Sequence, residues 1–161
     1  MTRMKYNAGL TLVEMLVVLG VIVVLAGFVT ALSLRIENRA KEDALANAFA
    51  LLGSALQEYY EVRGEFPPQP DRSFVNAVAH VEFLVQQLRS VPDSRQVLEK
   101  LNPSLVRSEA GLPDVPELRD PWGTVLNYVY VSGIDSFPEL ISAGPDKRPG
   151  TADDISNKGR R

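Results

Sequence analysis

The fold of this chain is decided by residues 9–34, which read GLTLVEMLVVLGVIVVLAGFVTALSL. Glu14 is the only charged residue in this stretch. The uncharged residues 15–34 would span about 30 Å as an α-helix, which is the thickness of the hydrocarbon core of a bilayer. The sequence therefore predicts one membrane-spanning helix near the N-terminus.

A short polar segment, residues 1–9, precedes this helix and carries Arg3 and Lys5. Positive charge beside a span favours the cytoplasmic side, although the charges of residues 35–41 compete with it. We therefore expect a single-pass protein with a cytoplasmic N-terminus and a C-terminal head outside the membrane. A cleaved secretory signal is one alternative, but its apolar core of roughly 7–15 residues is shorter than this run. A plain signal anchor explains every feature except Glu14.

Glu14 is the informative residue of the apolar stretch. A carboxylate there is costly unless it lies at headgroup depth or has a cationic partner, and both alternatives are open. If the chain were cut after Gly9, the new α-amino group of Leu10 could pair with Glu14 of a neighbouring, staggered subunit. An ion pair in hydrocarbon is strongly favoured over two separated charges, so such a pair would set the register of assembly.

The segment Gly9-Leu10-Thr11-Leu12-Val13-Glu14 with its apolar helix closely resembles the N-terminal signal of type IV pilins and pseudopilins. The resemblance implies cleavage between Gly9 and Leu10 by prepilin peptidase, N-methylation of Leu10 by the same enzyme, and an intersubunit role for Glu14. Two residues depart from the family pattern. Leu10 replaces the usual Phe, and Ala31 stands where many members have a helix-kinking Pro.

The second half of the helix, residues 35–63, predicts an amphipathic continuation. Its apolar residues recur at spacings of three and four, as on one face of a helix, and they are Ala44, Leu45, Ala48, Leu52, Ala55, Leu56 and Tyr59. No proline interrupts Leu10–Val62, and Arg63 with Gly64 forms a suitable helix end. We therefore expect one long spine helix whose residues 35–63 pack on a globular head.

The middle region, residues 64–119, is the least informative. An amphipathic pattern predicts a helix over Ser73–Ser90. Asp93 with Gln96 resembles a capping box and predicts a short helix to about residue 101. We assign no chemistry to this region. His80, the only histidine, lacks neighbours at ligand spacing and is expected to be solvated or part of the core.

The C-terminal region, residues 120–161, predicts a small antiparallel sheet. The turn sequence Asp120-Pro121-Trp122-Gly123 precedes two strand patterns, Val125–Val131 and Phe137–Ser142. We expect Trp122 and the tyrosines to lie in the core. Asp-Pro-Trp-Gly before an aromatic strand also resembles the major pseudopilins of type II secretion systems. The fold class that follows is α+β, with a long N-terminal spine helix on a small sheet head.

The segment 142–156 reads SAGPDKRPGTADDIS and concentrates carboxylates in a Gly/Pro-rich loop. Calcium takes six to eight oxygen ligands from carboxylates and backbone carbonyls on such irregular backbone. The spacing is not that of an EF-hand, and the residues alone leave a solvated acidic turn open.

The whole string of residues 142–156 is similar to the calcium loop of major pseudopilins. That resemblance implies a Ca²⁺ site with side-chain ligands Asp146, Asp153 and Asp154, backbone ligands Ala143 and Thr151, and Ser142 as a weaker candidate. The chain has no cysteine, so the metal would replace the disulfide that closes this region in many type IV pilins.

The resemblance implies a structural subunit, not an enzyme, of a periplasmic pseudopilus that drives protein export. Implied partners are further copies of the chain in a helical homopolymer, minor pseudopilins, prepilin peptidase and the inner-membrane assembly platform. A type IV pilus pilin is the first alternative. A membrane-anchored calcium-dependent enzyme or sugar-binding domain is the second, weakened by the lone His80 and the missing cysteines. The net charge of −3 argues against nucleic-acid binding.

Overall fold

The structure, a computed structural model, describes residues 12–107 and 116–160. The helices are α1 (Leu12–Arg63), α2 (Ala77–Arg89) and α3 (Pro92–Leu98), with short 3-10 helices at Phe74–Asn76 and Pro103–Leu105. The strands are β1 (Val106–Arg107), β2 (Glu117–Leu118), β3 (Asn127–Val129), β4 (Glu139–Ser142), β5 (Ile155–Ser156) and β6 (Gly159–Arg160). A long N-terminal helix with small antiparallel sheets confirms the predicted α+β class.

The chain divides into two units, Met1–Arg39 and Ala40–Arg161. Within the first unit, Leu12–Val29 is helical, and by length and composition it could cross a membrane. Its side chains are exposed throughout, with Leu12 at 81% and Val24 at 72%. Apolar surface of this extent has to be covered by lipid or by other protein in an aqueous cell.

In the second unit, α1 contributes one face to the core. Its buried residues recur at the predicted spacing, and they are Leu45, Ala48, Phe49, Leu52, Ala55, Leu56 and Tyr59. Ala44, expected in the same stripe, is only half-buried. The helix ends as predicted, because Gly64 adopts a left-handed φ of 75° and its N–H donates to the carbonyl of Tyr60 over 2.8 Å.

The predicted second helix is present as the 3-10 turn Phe74–Asn76 followed by α2, which buries His80, Val81, Leu84, Val85 and Leu88. Of the two roles expected for His80, solvated or core, the structure shows the core one.

The capping box that we expected at Asp93 is wrong. Helix α3 begins at Pro92 with Val91 as its N-cap, and that cap makes no side-chain hydrogen bond. Proline suits the first helical position, because its fixed φ matches the helix and its missing N–H is not needed there. Asp93 thus lies inside the first turn, and the helix ends at Leu98, before the expected residue 101.

The main sheet is fully antiparallel in the order β3-β4-β5-β6. Tyr128 pairs with Leu140 in its centre, and both are fully buried. Strand β3 is shorter than the predicted Val125–Val131, because Val125 and Tyr130 bridge to Arg119 and Gln69 instead. The expected core positions of Trp122, Tyr128 and Tyr130 are confirmed.

Three polar contacts join strand β3 to α2 and to the segment between α1 and α2. The hydroxyl of Tyr128 donates to the carbonyl of Pro67 over 2.7 Å. His80 Nδ1 lies 2.8 Å from Asn127 Oδ1, and the Asn127 amide donates to the carbonyl of Arg72 over 3.3 Å. These bonds satisfy side chains that would be costly to bury alone.

Candidate functional site

The C-terminal loop, residues 142–156, is held closed at its base by strand pairing. Ser142 at the end of β4 pairs with Ile155 at the start of β5. The residues that follow Ser142 and those that precede Ile155 therefore start from adjacent backbones. This register brings the predicted ligands at the two ends of the segment into one region.

The two sides of the loop approach most closely at Gly144. Its φ of 67° is left-handed, and a Cβ atom at this position would overlap the main-chain oxygen of Asp153. A second contact across the loop lies nearby, where the N–H of Asp146 donates to Asp153 Oδ2 over 3.0 Å. Only glycine leaves room for the Asp153 carbonyl here, which explains the Gly at this position.

Asp146 and Asp153 are occupied by local donors. Asp146 Oδ1 accepts from the N–H of Arg148 over 2.7 Å. Asp153 Oδ1 accepts from the Thr151 hydroxyl. Together with the Asp146 amide, that hydroxyl holds the pKa of Asp153 below its usual value. The charged form of Asp153 is thus favoured.

Asp154 is the buried acid of the loop, with only 2% of its surface exposed. Its Oδ2 accepts from the N–H of Gly150 over 2.8 Å. Its Oδ1 has no hydrogen-bond partner among the described residues. A buried carboxylate oxygen without a donor is costly, and a cation would remove that cost.

The start of the loop is tied to the Asp120 turn. Ser142 Oγ donates to Asp120 Oδ2 over 2.7 Å and accepts from the N–H of Gly144 over 3.0 Å. Asp120 Oδ1 accepts from the N–H groups of Trp122 and Thr124 over 3.0 and 2.8 Å. Burial raises the pKa of Asp120, while its hydrogen bonds with Ser142, Thr124 and Trp122 act in the opposite direction.

The oxygen donors suit Ca²⁺ better than a softer metal. Within residues 12–107 and 116–160, no three acidic, histidine or cysteine side chains lie close enough together to hold a metal by themselves. The structure therefore does not bring the predicted side-chain ligands Asp146, Asp153 and Asp154 together as one carboxylate cluster, and main-chain carbonyls would have to complete the set. The Thr151 carbonyl already accepts from the N–H of Asp154 over 3.3 Å, but a carbonyl oxygen has a second lone pair.

Of the N-terminal residues singled out in the sequence, Glu14 lies in the first turn of α1. Gly9 and Leu10, the predicted cleavage and methylation positions, lie outside the described residues.

Residues 4–30 match the family model of the prokaryotic N-terminal methylation motif. The N-terminus of the chain therefore carries a motif that is typical of type IV pilin-like proteins. The motif includes Gly9, Leu10 and Glu14, and it continues into the exposed apolar part of α1. No curated protein and no solved structure matches the chain. The pilin-like motif implies processing by prepilin peptidase, membrane anchoring and assembly into a pilin-like filament, and proteins that carry it are typically not enzymes.

The sequence analysis missed the hydrogen bond that Asp120 makes with a second segment. It identified Asp120 only as the first residue of a turn. The signal for more was its residue type, because Asp can accept hydrogen bonds from its own turn and from a second segment at once. The second segment, at Ser142, is 22 positions away (142 − 120), so nothing local in the sequence connects the two.

Proposed function

We propose that this chain is a structural subunit of a periplasmic pseudopilus that drives protein export through a type II secretion system. The methylation motif supports assembly into a filament. The exposed apolar residues of Leu12–Val29 support storage in the inner membrane, with the head in the periplasm, before assembly. In the filament, the same side chains are covered by neighbouring subunits.

The assembly contact in this proposal is an ion pair between subunits. Cleavage after Gly9 creates the α-amino group of Leu10, which N-methylation leaves basic. Glu14, four positions further on, belongs to the first turn of α1. The amine of one subunit neutralises Glu14 of its neighbour, so only correctly staggered copies bury both charges without loss.

One observation carries the choice of a pseudopilin over a pilus pilin. Asp154 Oδ1 is buried without a partner among the described residues, in the C-terminal loop of a chain that has no cysteine. We propose that Ca²⁺ is bound there by Asp154 with Asp146 and Asp153, and by the main-chain oxygens of Ala143 and Thr151. When bound, the ion supplies a positive charge that joins the two sides of the loop, as a disulfide would.

The remaining partners follow from this role. Minor pseudopilins would start or cap the filament, and an inner-membrane platform with a cytoplasmic ATPase would add subunits to it. No bond chemistry is required of the chain. The free energy of subunit association comes from packing of the apolar helix and from the Glu14 ion pair.

Mass spectrometry of the full-length protein purified from its native membrane tests the N-terminal part of the proposal. We expect a mature chain that begins with N-methylated Leu10. Deletion of the gene should leave secreted proteins in the periplasm. A chain that begins at Met1 would contradict the filament role, whereas filaments outside the cell at native expression, with normal secretion, would favour the pilus pilin.

Thermal melting of the full-length protein in detergent tests the metal. At a Ca²⁺ concentration 100 times Kd, binding adds about 2.7 kcal/mol to stability, which is roughly 5–10 °C for a protein of this size. Asp154→Asn should remove this calcium-dependent increment, and Glu61→Ala, which changes an exposed carboxylate at the end of α1, should keep it. Equal melts of the wild type in Ca²⁺ and in chelator would rule out the metal.

A further inference from the structure

Asp120 is a buried acid that belongs neither to the proposed assembly contact nor to the proposed Ca²⁺ ligands. Only 2% of its surface is exposed. Ser142 Oγ, the group that Asp120 Oδ2 contacts, is also fully buried. Buried charged groups are rare unless their hydrogen bonds do something that a neutral residue cannot do.

The two oxygens of the Asp120 carboxylate serve two different segments. Oδ1 accepts from the N–H groups of Trp122 and Thr124 and so shapes the Asp-Pro-Trp-Gly turn. Oδ2 accepts from the Ser142 hydroxyl, at the end of β4. An asparagine could replace the first function, but its NH₂ group cannot accept the second bond.

The bond to Ser142 fixes the direction of the next one. Because an ionised carboxylate only accepts, the Ser142 hydroxyl hydrogen is committed to Asp120. The lone pairs of Ser142 Oγ are then available to the N–H of Gly144, 3.0 Å away. The two hydrogen bonds therefore form a relay with one donor direction: the Gly144 N–H donates to Ser142, and Ser142 donates to Asp120. Each bond polarises the next.

Gly144 is the residue whose placement brings the two sides of the loop together. A Cβ atom added at Gly144 would overlap the main-chain oxygen of Asp153, and the Gly144 carbonyl accepts from the N–H of Lys147 over 3.2 Å. A shift of Gly144 would therefore displace the Asp153 carbonyl and the residue next to it, Asp154. The position of the loop's buried acid thus depends on the relay.

We propose that Asp120 is a positioning residue for the C-terminal loop: through Ser142 it holds Gly144 where the loop can close around a cation. The cation part of this inference rests on the proposed function. The positioning part does not, because the relay is complete in the protein alone. Asp120 is not itself a ligand in this proposal.

The test compares Asp120→Asn, Ser142→Ala and the double variant in the full-length protein in detergent. Amide hydrogen exchange in the presence of chelator measures how well the Gly144 N–H is protected when no metal is bound. We expect exchange at Gly144 to rise by about tenfold in each variant, the change that loss of one ordinary hydrogen bond gives. The double variant should exchange no faster than the more affected single variant, since both changes break the same relay.

The amides of Trp122 and Thr124 are the internal control. Asp120→Asn keeps an acceptor oxygen for both of them, and Ser142→Ala leaves the turn untouched, so their exchange should stay near the wild-type rate. Unchanged exchange at Gly144 in Asp120→Asn would overturn the proposal. Equal loss of protection at Trp122, Thr124 and Gly144 would also overturn it, by showing that Asp120 only holds its own turn.

Calcium titration by calorimetry of the same four proteins, the wild type included, separates this inference from the proposed function. Loss of a residue that orients a ligand typically weakens metal binding by about 10–100-fold, and we expect such a loss in each variant. A wild type that binds no Ca²⁺, with the exchange result as expected, would refute the metal site and leave the positioning role standing. Wild-type affinity in all variants would refute the link between the relay and the cation.

Discussion

At the scale of single residues, the C-terminal loop depends on positions where one side chain or its absence decides the backbone. Gly144 and Gly150 both have left-handed φ values, of 67° and 86°. Only Gly144 lies against another segment, since no atom lies within 4 Å of a Cβ built at Gly150. Comparing substitutions at Gly144 and Gly150 therefore separates the free-energy cost of a positive φ from the cost of steric overlap.

We predict that Gly144→Ala destabilises the protein much more than Gly150→Ala. Both variants pay about 1 kcal/mol for a non-glycine residue at positive φ. Gly144→Ala must also push away the Asp153 carbonyl, so we expect it to lower stability by at least a further 2 kcal/mol or so. Urea unfolding of the two full-length variants measures the difference, and equal midpoints would show that the close approach at Gly144 does not exist.

Asp71 gives a pH-dependent contribution to stability. The Asn76 amide donates to its Oδ2 over 2.9 Å, and the Ser73 N–H to its Oδ1 over 2.9 Å. These two bonds hold the pKa of Asp71 below its usual value of 3.8, helped by His80 of α2, whose Nε2 lies 3.4 Å from Oδ2. Because the folded-state pKa is lowered, this stabilisation is present above pH 3.8 and is lost as pH falls through the folded value.

We therefore predict that Asp71→Asn flattens the fall of the melting temperature below about pH 4. Above that pH the variant should melt at a lower temperature than the wild type, and the two curves should converge in acid. Glu61→Gln, at an exposed position near the end of α1, serves as the control and should keep the wild-type slope. Parallel curves for Asp71→Asn and the wild type would show that Asp71 contributes no pH dependence.

At the scale of secondary-structure elements, helix α1 is the element that sequence predicts best and the strands are the ones it predicts worst. The buried face of α1 extends over many turns, so its period is visible in the pattern of apolar residues. Strands β1, β2, β5 and β6 have two residues each, and two residues cannot show an alternation. Strands β1, β2 and β5 take partners ten or more positions away, such as Leu118 for Val106, whereas β6 pairs with the adjacent β5.

The candidate site also has a part that the sequence predicts and a part that it does not. The carboxylates of residues 142–156 stand out in the sequence because they are close together in a glycine-rich loop. The burial of Asp154 and the relay from Gly144 to Asp120 do not, because both depend on how β4, β5 and the Asp120 turn pack. The helix start at Pro92 was mispredicted for a local reason, since a proline at the first turn competes with an Asp one residue later as the starting signal.

The core face of α1 makes a testable prediction at this scale. Leu56 is fully buried, and we expect Leu56→Ala to lower the free energy of unfolding by about 2–5 kcal/mol, because it removes apolar contacts and leaves a cavity. Gln57→Ala changes the adjacent exposed position and should stay within about 0.5 kcal/mol of the wild type. Chemical denaturation of both variants checks this, and similar midpoints would place Leu56 outside the core.

At the scale of the whole molecule, the two units differ in what they need from their surroundings. The second unit has its own apolar core. The first exposes its apolar residues from Leu12 to Val29, so its stability has to come from a membrane or from other copies of the chain. In the proposed function this segment lies first in the membrane and then in the filament, and it contains Glu14.

We predict that Glu14→Ala leaves membrane insertion and cleavage intact and impairs polymerisation. Alanine costs nothing in lipid, so the single subunit should be at least as stable there, but the neighbour's Leu10 amine loses its counter-charge. Glu37→Ala, beyond the apolar run of the same helix, is the matched control and should polymerise normally. Cross-linking in cells with mass spectrometry of the N-terminus reads both steps, and normal filaments from Glu14→Ala would exclude the pairing mechanism.

The position of Trp122 has a practical consequence. It is the only tryptophan of the chain, it is 7% exposed, and it belongs to the turn that Asp120 organises. Intrinsic fluorescence of the native protein therefore reports on this one turn, against a background of tyrosine alone. A buried indole emits at shorter wavelength than a solvent-exposed one. Tryptophan fluorescence, which needs no label, can therefore follow the opening of the turn in real time.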